Sequence, residues 1–528
     1  MFDKLFRKLN YLKLGSSPTS SENITTQQEI SESIDAVKNQ LNATFFDCSD
    51  FAIREIEAGK VKMILAFMDG IVKQDSINAN ILKPLLTELK LTGLDEKMDS
   101  KNAFEILTKN LLSESRIRTN YDFSQSIDAI LTGDTVLFID GNNKALQFDT
   151  KGFESRGVTE PQTEAVVRGP REGFTETLRV NTALLRRKIK TPDLKLERII
   201  VGRQTQTEIC IAYIKGIAND DVISTVKARL EKIDTDAILE SGYIEEFIED
   251  SPLSLFPTIG NSEKPDIVAA KLLEGRVAII CDGTPFVLTV PYLFIESIQA
   301  SEDYYSRSFY SSFIRWIRVL ALFITTLVPA LYVAIICFHQ DMIPSELFIT
   351  ISASREGIPF SPLVESLLMV ITFELLREAG VRMPKAVGDA VSIVGALVLG
   401  QASVEAGLVS NLMVIVIAIT AITGFVITPM AGIVPIIRIC LLLSANILGL
   451  MGIALTFVAI YVHACSLWSF GVPYMAPVSP LYGMDLKDAF IRVPVWAMLK
   501  RPKALTERNK DSSTFRMKVD FKKRIKNE

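Results

Sequence analysis

The sequence predicts a soluble α/β N-terminal region, built from two related subdomains, that is followed by an all-α multi-pass membrane domain. Three observations lead to this fold class. The first three hundred residues mix strand and helix periodicity with scattered charge. Residues 311–470 are strongly apolar, and residues 471–528 form a basic tail. The net charge of −4 over 528 residues gives no reason to expect a nucleic-acid partner.

Residues 1–28 are predicted to form an amphipathic helix and a flexible linker. Apolar and basic side chains recur at helical spacing at the start of this segment, and its second half is rich in Ser, Thr and other polar residues. A basic amphipathic helix can lie on an anionic membrane surface. It can equally pack against its own protein, and the residues leave both interpretations open.

Two stretches of the soluble region resemble each other and predict a tandem duplication. Gly216 lies 146 residues after Gly70 in similar surroundings, and the Asp-Gly pair at Asp282 lies 142 residues after the one at Asp140. Each repeat is predicted to contain a strand, a helix and a β-hairpin that turns at Asp-Gly. Chance resemblance of two α/β units is the alternative. Neither Asp-Gly turn needs a metal or a phosphate to explain it.

The two predicted subdomains comprise residues 29–158 and 159–310, and the second begins with an Arg-rich linker. Clustered arginines could bind an acidic or phosphorylated partner, although a solvated face or salt bridging between subunits is the commoner use. The partner-binding candidates are Arg168, Arg171, Arg186 and Arg187.

The sequence lacks the motifs of common enzymes. It has no GxxxxGK[ST] loop, no GxGxxG after a strand and no HExxH. Only 2 His and 6 scattered Cys are available, which leaves acid–base catalysis, zinc hydrolysis and disulfide formation with few groups. We therefore expect neither an enzyme nor a bound metal or cofactor.

The apolar region, residues 311–470, is predicted to contain about six membrane crossings. The spans are residues 317–338, 358–379, 386–402 and 412–428, followed by one apolar region at 430–467. Basic residues before the first span, in the loop after the second and in the tail predict that all three are cytoplasmic. An even number of crossings then requires the last region to be a tight hairpin, which we prefer, or a re-entrant element. A single long helix would leave the tail outside.

The second predicted span carries polar residues that bulk lipid would not tolerate. At 100° per residue, one narrow stripe contains Ser361, Glu365, Leu368 and Thr372. We predict that this stripe lines or gates a water-filled path. The alternative for Glu365 is a polar anchor in a helix–helix contact, and the two interpretations have equal support.

Two further features flank this stripe. Glu374 lies on the opposite face of the same helix, where we expect it to pair with Arg377 at the membrane edge. Small residues in the next span predict close packing among helices; they are Gly388, Ser392, Gly395 and Gly400.

Several long phrases follow one another in the sequence. They include RGPREGFTETLRVNTALLRRKIKTPDLK, REGIPFSPLVESLLMVITFELLREAG and ITGFVITP. Together they resemble the A subunits of the spore germinant receptors of endospore-forming bacteria, the GerA family. The resemblance is dense between residues 160 and 435 and looser elsewhere.

This resemblance implies a multi-pass protein of the inner spore membrane. It implies a B subunit of transporter-like fold that binds the nutrient, a lipoprotein C subunit, and contact with membrane lipid. It further implies a homo-oligomeric ring that conducts cations when the nutrient binds. Residues 22–162 are less distinctive and resemble no particular receptor, so the nutrient stays unassigned. A sibling that accompanies the dipicolinate-release channel would share the same phrases.

Three hypotheses follow for the membrane domain. It forms or gates a cation path along the polar stripe, it is a secondary transporter whose helices break at Pro329 and Pro435, or it is a scaffold that only anchors and clusters receptors. The sequence contains no repeat within the membrane part, which disfavours the transporter.

Overall fold

The computed structural model describes residues 29–94, 98–100, 102–108, 117–152, 161, 164, 166–382, 398–483, 485–498 and 500–506. The predicted amphipathic helix and linker at residues 1–28 lie outside the described residues. The chain divides into two compact units, one of residues 1–156 with 182–196 and the other of residues 157–181 with 197–528.

The first sheet is antiparallel and has the strand order β1-β2-β4-β5-β3. Its strands are β1 Phe51–Ala58, β2 Val61–Met68, β3 Ile117–Asn120, β4 Thr135–Ile139 and β5 Ala145–Phe148. Apolar residues of β2 alternate between two clusters, because successive side chains of a strand point to opposite faces: Met63 and Leu65 enter one, Ile64 and Ala66 the other.

Helices cover both faces of this first sheet. They are α1 Ile34–Thr44, a run over residues 74–91 that includes two π-helical turns, the short helix Ala103–Ile106, and α2 Phe123–Leu131. Helix α2 begins where Asp122 accepts a hydrogen bond from the Ser124 amide, a side-chain N-cap.

The second sheet repeats the first in strand order, as β6-β7-β9-β10-β8. Its strands are β6 Leu194–Val201, β7 Thr207–Ile214, β8 Gly260–Ser262, β9 Val277–Cys281 and β10 Val287–Val290. The helices around it are α3 Leu178–Lys188, α4 Asp220–Glu231, α5 Ser241–Ile248 and α6 Pro265–Leu273.

The register of the two sheets matches as well. Thr135 lies opposite Phe148 in the first hairpin, and Val277 lies opposite Val290 in the second, each 142 residues later. The predicted fold class with two related subdomains is confirmed. Each repeat has five strands, whereas one strand and one hairpin were predicted. The Arg-rich stretch between the repeats contains α3 and β6.

Both Asp-Gly turns serve the helix that opens their own repeat. The Asp140 carboxylate accepts a hydrogen bond from the Ile34 amide at 3.1 Å, and Asp282 accepts one from the Leu178 amide at 2.8 Å. These amides belong to the first turns of α1 and α3, whose N–H groups have no partner within the helix. Each aspartate therefore caps a helix that lies about one hundred residues earlier in sequence.

Replacing Asp282 by Ala should weaken the start of α3 by about 1 kcal/mol, the usual value of an N-terminal side-chain cap. The reason is that the Leu178 amide loses its acceptor. Hydrogen–deuterium exchange at the Leu178 amide is the measurement, and Asp282→Asn, which keeps an acceptor oxygen, is the control. Equal exchange in wild type and Asp282→Ala would contradict the capping role.

The C-terminal half of the chain is helical. Its long helices are α7 Ser308–Phe338, α8 Ser345–Arg355, α9 Pro362–Arg382, α10 Asn411–Gly424 and α11 Val434–Ser466. Shorter elements are Phe294–Ser297, Glu302–Tyr305, Gln340–Met342, Thr428–Met430, the strand pair Trp468–Ser469 and Val472–Pro473, Asp485–Asp488 and Val495–Ala497. Within the described residues, α7 is long and apolar enough to cross a membrane, as is α11 when its residues are counted from end to end; α10 is a shorter apolar helix.

Helix α11 is not straight. Gly449 has a non-helical conformation, with φ 60° and ψ −139°. A Cβ added at Gly452 would lie 2.2 Å from the carbonyl oxygen of Ser444, eight residues earlier, whereas a straight helix separates such residues by about 12 Å. Val434 and Ala464 accordingly share one apolar cluster. The region is a hairpin of two helical arms, the form that the charge rule favoured; the number of membrane crossings stays a prediction.

Residues after the hairpin return to the second sheet's surroundings. Ala489 and Leu505 pack with Leu293, Ile295 and Ile298 in one apolar cluster. The described part of the predicted basic tail is therefore folded onto the protein.

Candidate functional site

Glu365 lies in the first turn of α9, three residues after Pro362, which is the first residue of the helix. Proline there fixes the backbone without losing a hydrogen bond, and an acidic residue in the first turn complements the helix dipole. The Glu365 side chain is completely buried. A fully buried carboxylate needs partners for both oxygens.

Two neighbouring helices supply these partners. Arg355, at the end of α8, donates from Nη2 to Glu365 Oε1 at 2.9 Å. Ser410, the N-cap of α10, donates to Glu365 Oε2 from its amide at 3.2 Å and from its hydroxyl at 3.1 Å. The hydroxyls of Ser410 and Tyr332 of α7 lie 3.3 Å apart. Glu365 thus connects α8, α9 and α10, and its contacts favour the polar-anchor interpretation.

The other members of the predicted stripe have different surroundings. Ser361 is exposed, Leu368 packs against the apolar cluster of the bundle, and Thr372 is half-buried. The structure of one chain therefore does not bring the four residues to a common surface. Their lining of a path stays a prediction.

Glu374 and Arg377 form the expected ion pair, with 2.6 Å between Oε2 and Nη2. A third residue, Arg438 of α11, approaches the other carboxylate oxygen at 3.3 Å. Arg438 is almost fully buried, and its Nε and Nη2 donate to the carbonyl oxygen and hydroxyl of Thr325, both at 2.9 Å.

The contact between Arg438 and Thr325 compensates for a proline. Pro329 lies inside α7 and has no N–H, so that the carbonyl four residues earlier, that of Thr325, has no helical donor. Arg438 Nε supplies this missing hydrogen bond. Helix α7 consequently runs without interruption from Ser308 to Phe338. Pro435 lies in the first turn of α11, where it is tolerated, and breaks no helix.

A second group of buried charges lies at the start of α7, and we call it the junction cluster: Asp303, Tyr304, Arg315, Arg318 and Asp488. Arg315 is completely buried and donates from Nε to Asp303 at 2.8 Å and from Nη1 to Asp488 at 2.9 Å. Arg318 donates to Asp303 as well, at 2.8 Å. The cluster links the loop before α7 to the residues that follow α11.

Tyr304 completes the junction cluster. Its hydroxyl donates to Asp488 at 2.7 Å, and its ring lies 5.6 Å from the Arg315 guanidinium and 5.8 Å from that of Arg492. Cation–π contacts of this kind strengthen when water is excluded. Burial, followed by the neighbouring charge of Asp488, raises the pKa of Tyr304 well above its ordinary value.

The small-residue prediction concerns a segment that is largely outside the described residues, which include neither Gly388, Ser392 nor Gly395. At Gly400, an added Cβ would lie 3.5 Å from Val414 Cγ1, an ordinary contact. Close backbone approach does not require glycine at this one position.

One of the four predicted partner-binding arginines is excluded by its burial. Arg186 is fully buried, and its Nε and Nη2 donate to the two carboxylate oxygens of Asp50 at 2.8 and 2.9 Å. A bidentate buried pair of this kind fixes structure and offers nothing to a partner. Arg168, Arg171 and Arg187 are exposed and keep their predicted role as candidates.

Three partners of the buried charges were not predicted: Arg355, Ser410 and Asp303. The available signal was the presence of charged residues within apolar stretches of the sequence, which require partners but do not identify them. No group of three His, Cys, Asp or Glu in the described part of the chain could hold a metal ion.

Glu245 of α5 has an unusual titration. Burial, reinforced by the neighbouring carboxylates Glu249 and Glu240, raises its pKa from 4.5 to about 7. Because the folded-state pKa is the higher one, the folded protein keeps a proton that the unfolded chain loses between about pH 4.5 and 7. Folding stability at this residue therefore falls as pH rises through that window.

Replacing Glu245 by Gln should remove the loss of folding stability between about pH 4.5 and 7. The variant should unfold at a higher temperature than wild type at about pH 8 and at nearly the same temperature at about pH 4.5. Glu246→Gln, on the exposed neighbour, is the matched control for thermal unfolding. A gain of equal size at both pH values would contradict the assignment.

Comparison with known proteins gives a consistent family. The family model described as Bacillus/Clostridium GerA spore germination protein matches residues 39–504. Spore germination protein KA of Bacillus subtilis (strain 168) is 45% identical over 468 residues, which cover 88% of this chain and 85% of that protein.

Further relatives carry similar names. Spore germination protein GerLA of Bacillus cereus is 37% identical over 470 residues, covering 88% of this chain and 94% of the relative. The crystal structure of the N-terminal domain of the A subunit of the Bacillus megaterium spore germinant receptor GerK3 is 34% identical, covers 51% of this chain and 98% of that chain, and has a TM-score of 0.41.

Proposed function

The chain belongs to the GerA family of spore germination proteins, and we propose that it is a nutrient-receptor subunit that forms or gates a cation-conducting oligomer. The proposal includes insertion in the inner spore membrane, with the N- and C-terminal regions on the core side. It also includes a homo-oligomeric ring, a B subunit of transporter-like fold and a lipoprotein C subunit as partners.

The observation that carries the proposal is the series of charged groups inside an apolar bundle. Glu365 and Glu374 lie on one helix about 13 Å apart along its axis, and each pairs with an arginine of another helix. Charged residues at membrane depth usually border protein interior or water. Thr372 lies about two turns beyond Glu365 on the same face of the helix and is half-buried. These features support a polar route along α9.

Exposed apolar faces support assembly within a membrane. Ile415 and Ile422 of α10 are 55% and 66% exposed, and Leu375 of α9 is 66% exposed. Contiguous apolar surface of this kind needs lipid or further subunits to cover it.

A second candidate function is a relay subunit that does not conduct. The complete burial of Glu365 favours it, because both carboxylate oxygens are used within the chain. The transporter hypothesis has lost its structural support, since α7 continues through Pro329 and Pro435 starts a helix.

Cation flux through the purified full-length protein in liposomes tests the proposal. Thr372→Trp should reduce flux by about tenfold, because a large side chain would obstruct a path beside it. Ile371→Trp, one residue away and 51% exposed, is the matched control and should leave flux within about twofold. Equal flux in both variants would rule out a path along this face. No flux from folded, oligomeric wild type would favour the relay.

Glu365→Gln separates the two interpretations of that residue. A pore-lining carboxylate that is neutralised lowers cation flux and leaves assembly intact. A polar anchor that is neutralised lowers the stability of the helical region and leaves the flux of the assembled fraction unchanged. Size-exclusion chromatography before reconstitution distinguishes these outcomes.

A further inference from the structure

All three tryptophans of the chain lie at one end of the helical region and are largely exposed. Trp316, Trp468 and Trp496 are 54%, 53% and 63% exposed. Other exposed apolar residues accompany them, and we call the set the basal rim: Trp316, Trp468, Ile491, Val495 and Trp496. Trp and Tyr are the residues that concentrate at membrane–water interfaces, where an apolar ring meets a polar edge.

The position of the rim along α7 can be compared with the dimensions of a bilayer. Residues 319–338 contain no charged side chain, and their 20 residues are about 30 Å long, the thickness of a hydrocarbon core. The inner boundary of that core then falls at residue 319. Trp316 lies three residues earlier, about 5 Å outside the boundary, within a headgroup layer about 5–7 Å thick.

The residues after α11 are held at this same level. Ser312 exchanges hydrogen bonds with the backbone of Arg492, at 3.1 Å from the amide and 3.3 Å to the carbonyl. The ring of Phe490 stacks on Trp316 with 6.0 Å between centroids. The short helix Val495–Ala497 follows directly, with Val495 and Trp496 exposed. This segment thus lies beside α7 between the levels of Trp316 and Ser312, about 5–10 Å outside the boundary.

The end of α11 has a similar arrangement. Trp468 follows the second arm of α11, which ends at Ser466. The preceding turn of that arm is tied to the soluble region, because His463 Nε2 lies 3.0 Å from the hydroxyl of Ser254. Leu253, the residue before Ser254, is fully exposed.

We propose that the basal rim lies in the headgroup layer of the membrane, with residues 490–496 docked on the lipid surface as an interfacial segment. The proposal rests on the membrane insertion of α7 that the proposed function includes. Continuity with the apolar stretch of α7 supports lipid as the occupant. Charge supports it too, because residues 492–528 carry twelve Lys and Arg against four Asp and Glu, and basic residues favour anionic lipid.

Depth-dependent fluorescence quenching of the full-length protein in liposomes with anionic lipid tests the proposal. Three proteins with a single tryptophan are compared. The first retains only Trp496, through Trp316→Phe and Trp468→Phe. The second carries Val328→Trp in the middle of α7, and the third carries Phe46→Trp in the first subdomain, both without the natural tryptophans. Phe46 is 62% exposed, nearly the same as Trp496, and provides the aqueous control.

Lipids brominated near the headgroup or near the methyl end of the acyl chain act as quenchers, beside a water-soluble quencher. Trp496 should be quenched at least about twofold more by the shallow bromolipid than by the deep one. The tryptophan at position 328 should show the reverse preference, and that at position 46 should respond only to the aqueous quencher.

Two results would overturn the proposal while leaving membrane insertion intact. Trp496 could behave like the tryptophan at position 46, which means that the segment is in water. It could also escape every quencher, which means that another protein copy covers it. If the tryptophan at position 328 responds to the aqueous quencher instead of the deep bromolipid, α7 is not inserted, and both this proposal and its premise fail.

Discussion

Replacing Arg315 by Ala should lower the free energy of unfolding by about 3–5 kcal/mol, because it removes one partner of a buried ion pair. Asp303 is only 2% exposed and would lose its hydrogen bond from Arg315 Nε. The Asp488 carboxylate would lose the donor that lies 2.9 Å away. The residues after α11 would then keep their contacts with α7 through Ser312 and Trp316. Denaturant unfolding of the purified full-length chain is the measurement.

Arg318→Ala is the control for this change. Arg318 donates to the same Asp303 but is partly exposed, so that its loss should cost about 1 kcal/mol. A double-mutant cycle with Asp303→Asn should give a coupling energy of about 1–3 kcal/mol for Arg315. Equal effects of the two arginine variants would show that the buried pair has no special part in holding the junction cluster.

Replacing Arg438 by Leu should also cost about 3–5 kcal/mol, for a reason specific to the proline in α7. Glu374 would keep only Arg377, and the Thr325 carbonyl would have no donor from either Arg438 or the helix. An unsatisfied buried carbonyl costs about 1–3 kcal/mol by itself.

Substituting Pro329 separates the cost of the unsatisfied Thr325 carbonyl from the cost of the lost Glu374 ion pair. Pro329→Ala restores an N–H that can donate to Thr325, so that in the Arg438→Leu background it should recover about 1 kcal/mol or more. In the wild-type background Pro329→Ala should change the free energy of unfolding little, because Arg438 already donates a hydrogen bond to the Thr325 carbonyl. If the effects of Arg438→Leu and Pro329→Ala on the free energy of unfolding are additive, Arg438 does not compensate for the proline.

The duplicated fold could be predicted because its turns leave a local signature. Asp140 and Asp282 recur with their glycines at nearly the spacing of Gly70 and Gly216, and the structure finds identical strand order around them. The number of strands could not be read in the same way. Strand β1 is half-exposed and carries Arg54 and Glu55, so that it lacks the apolar run by which β2 is recognised.

The candidate site could be predicted only in part, since helical periodicity describes one helix at a time. Helical periodicity places Glu365 and Glu374 on opposite faces of the helix, and the structure gives them different partners. It could not supply Arg355 or Ser410, which approach from other helices through the tertiary fold. Arg186 gives the converse lesson: clustered arginines in sequence do not share a surface, because Asp50 binds one of them in the interior.

The two arms of the α11 hairpin start and finish at the same end of the helical region, where Val434 and Ala464 share one apolar cluster. Its tip rests on the end of α7, where a Cβ at Gly449 would lie 3.0 Å from Phe338 Cβ and 2.8 Å from His339 Cε1. One helical turn added to each arm would move the tip by about 5 Å and leave Trp468 where it is. Insertions paired across the two arms would therefore keep the register between the arms and change only the contact of the tip with α7, whereas an insertion in one arm alone would shift the register of every contact behind it.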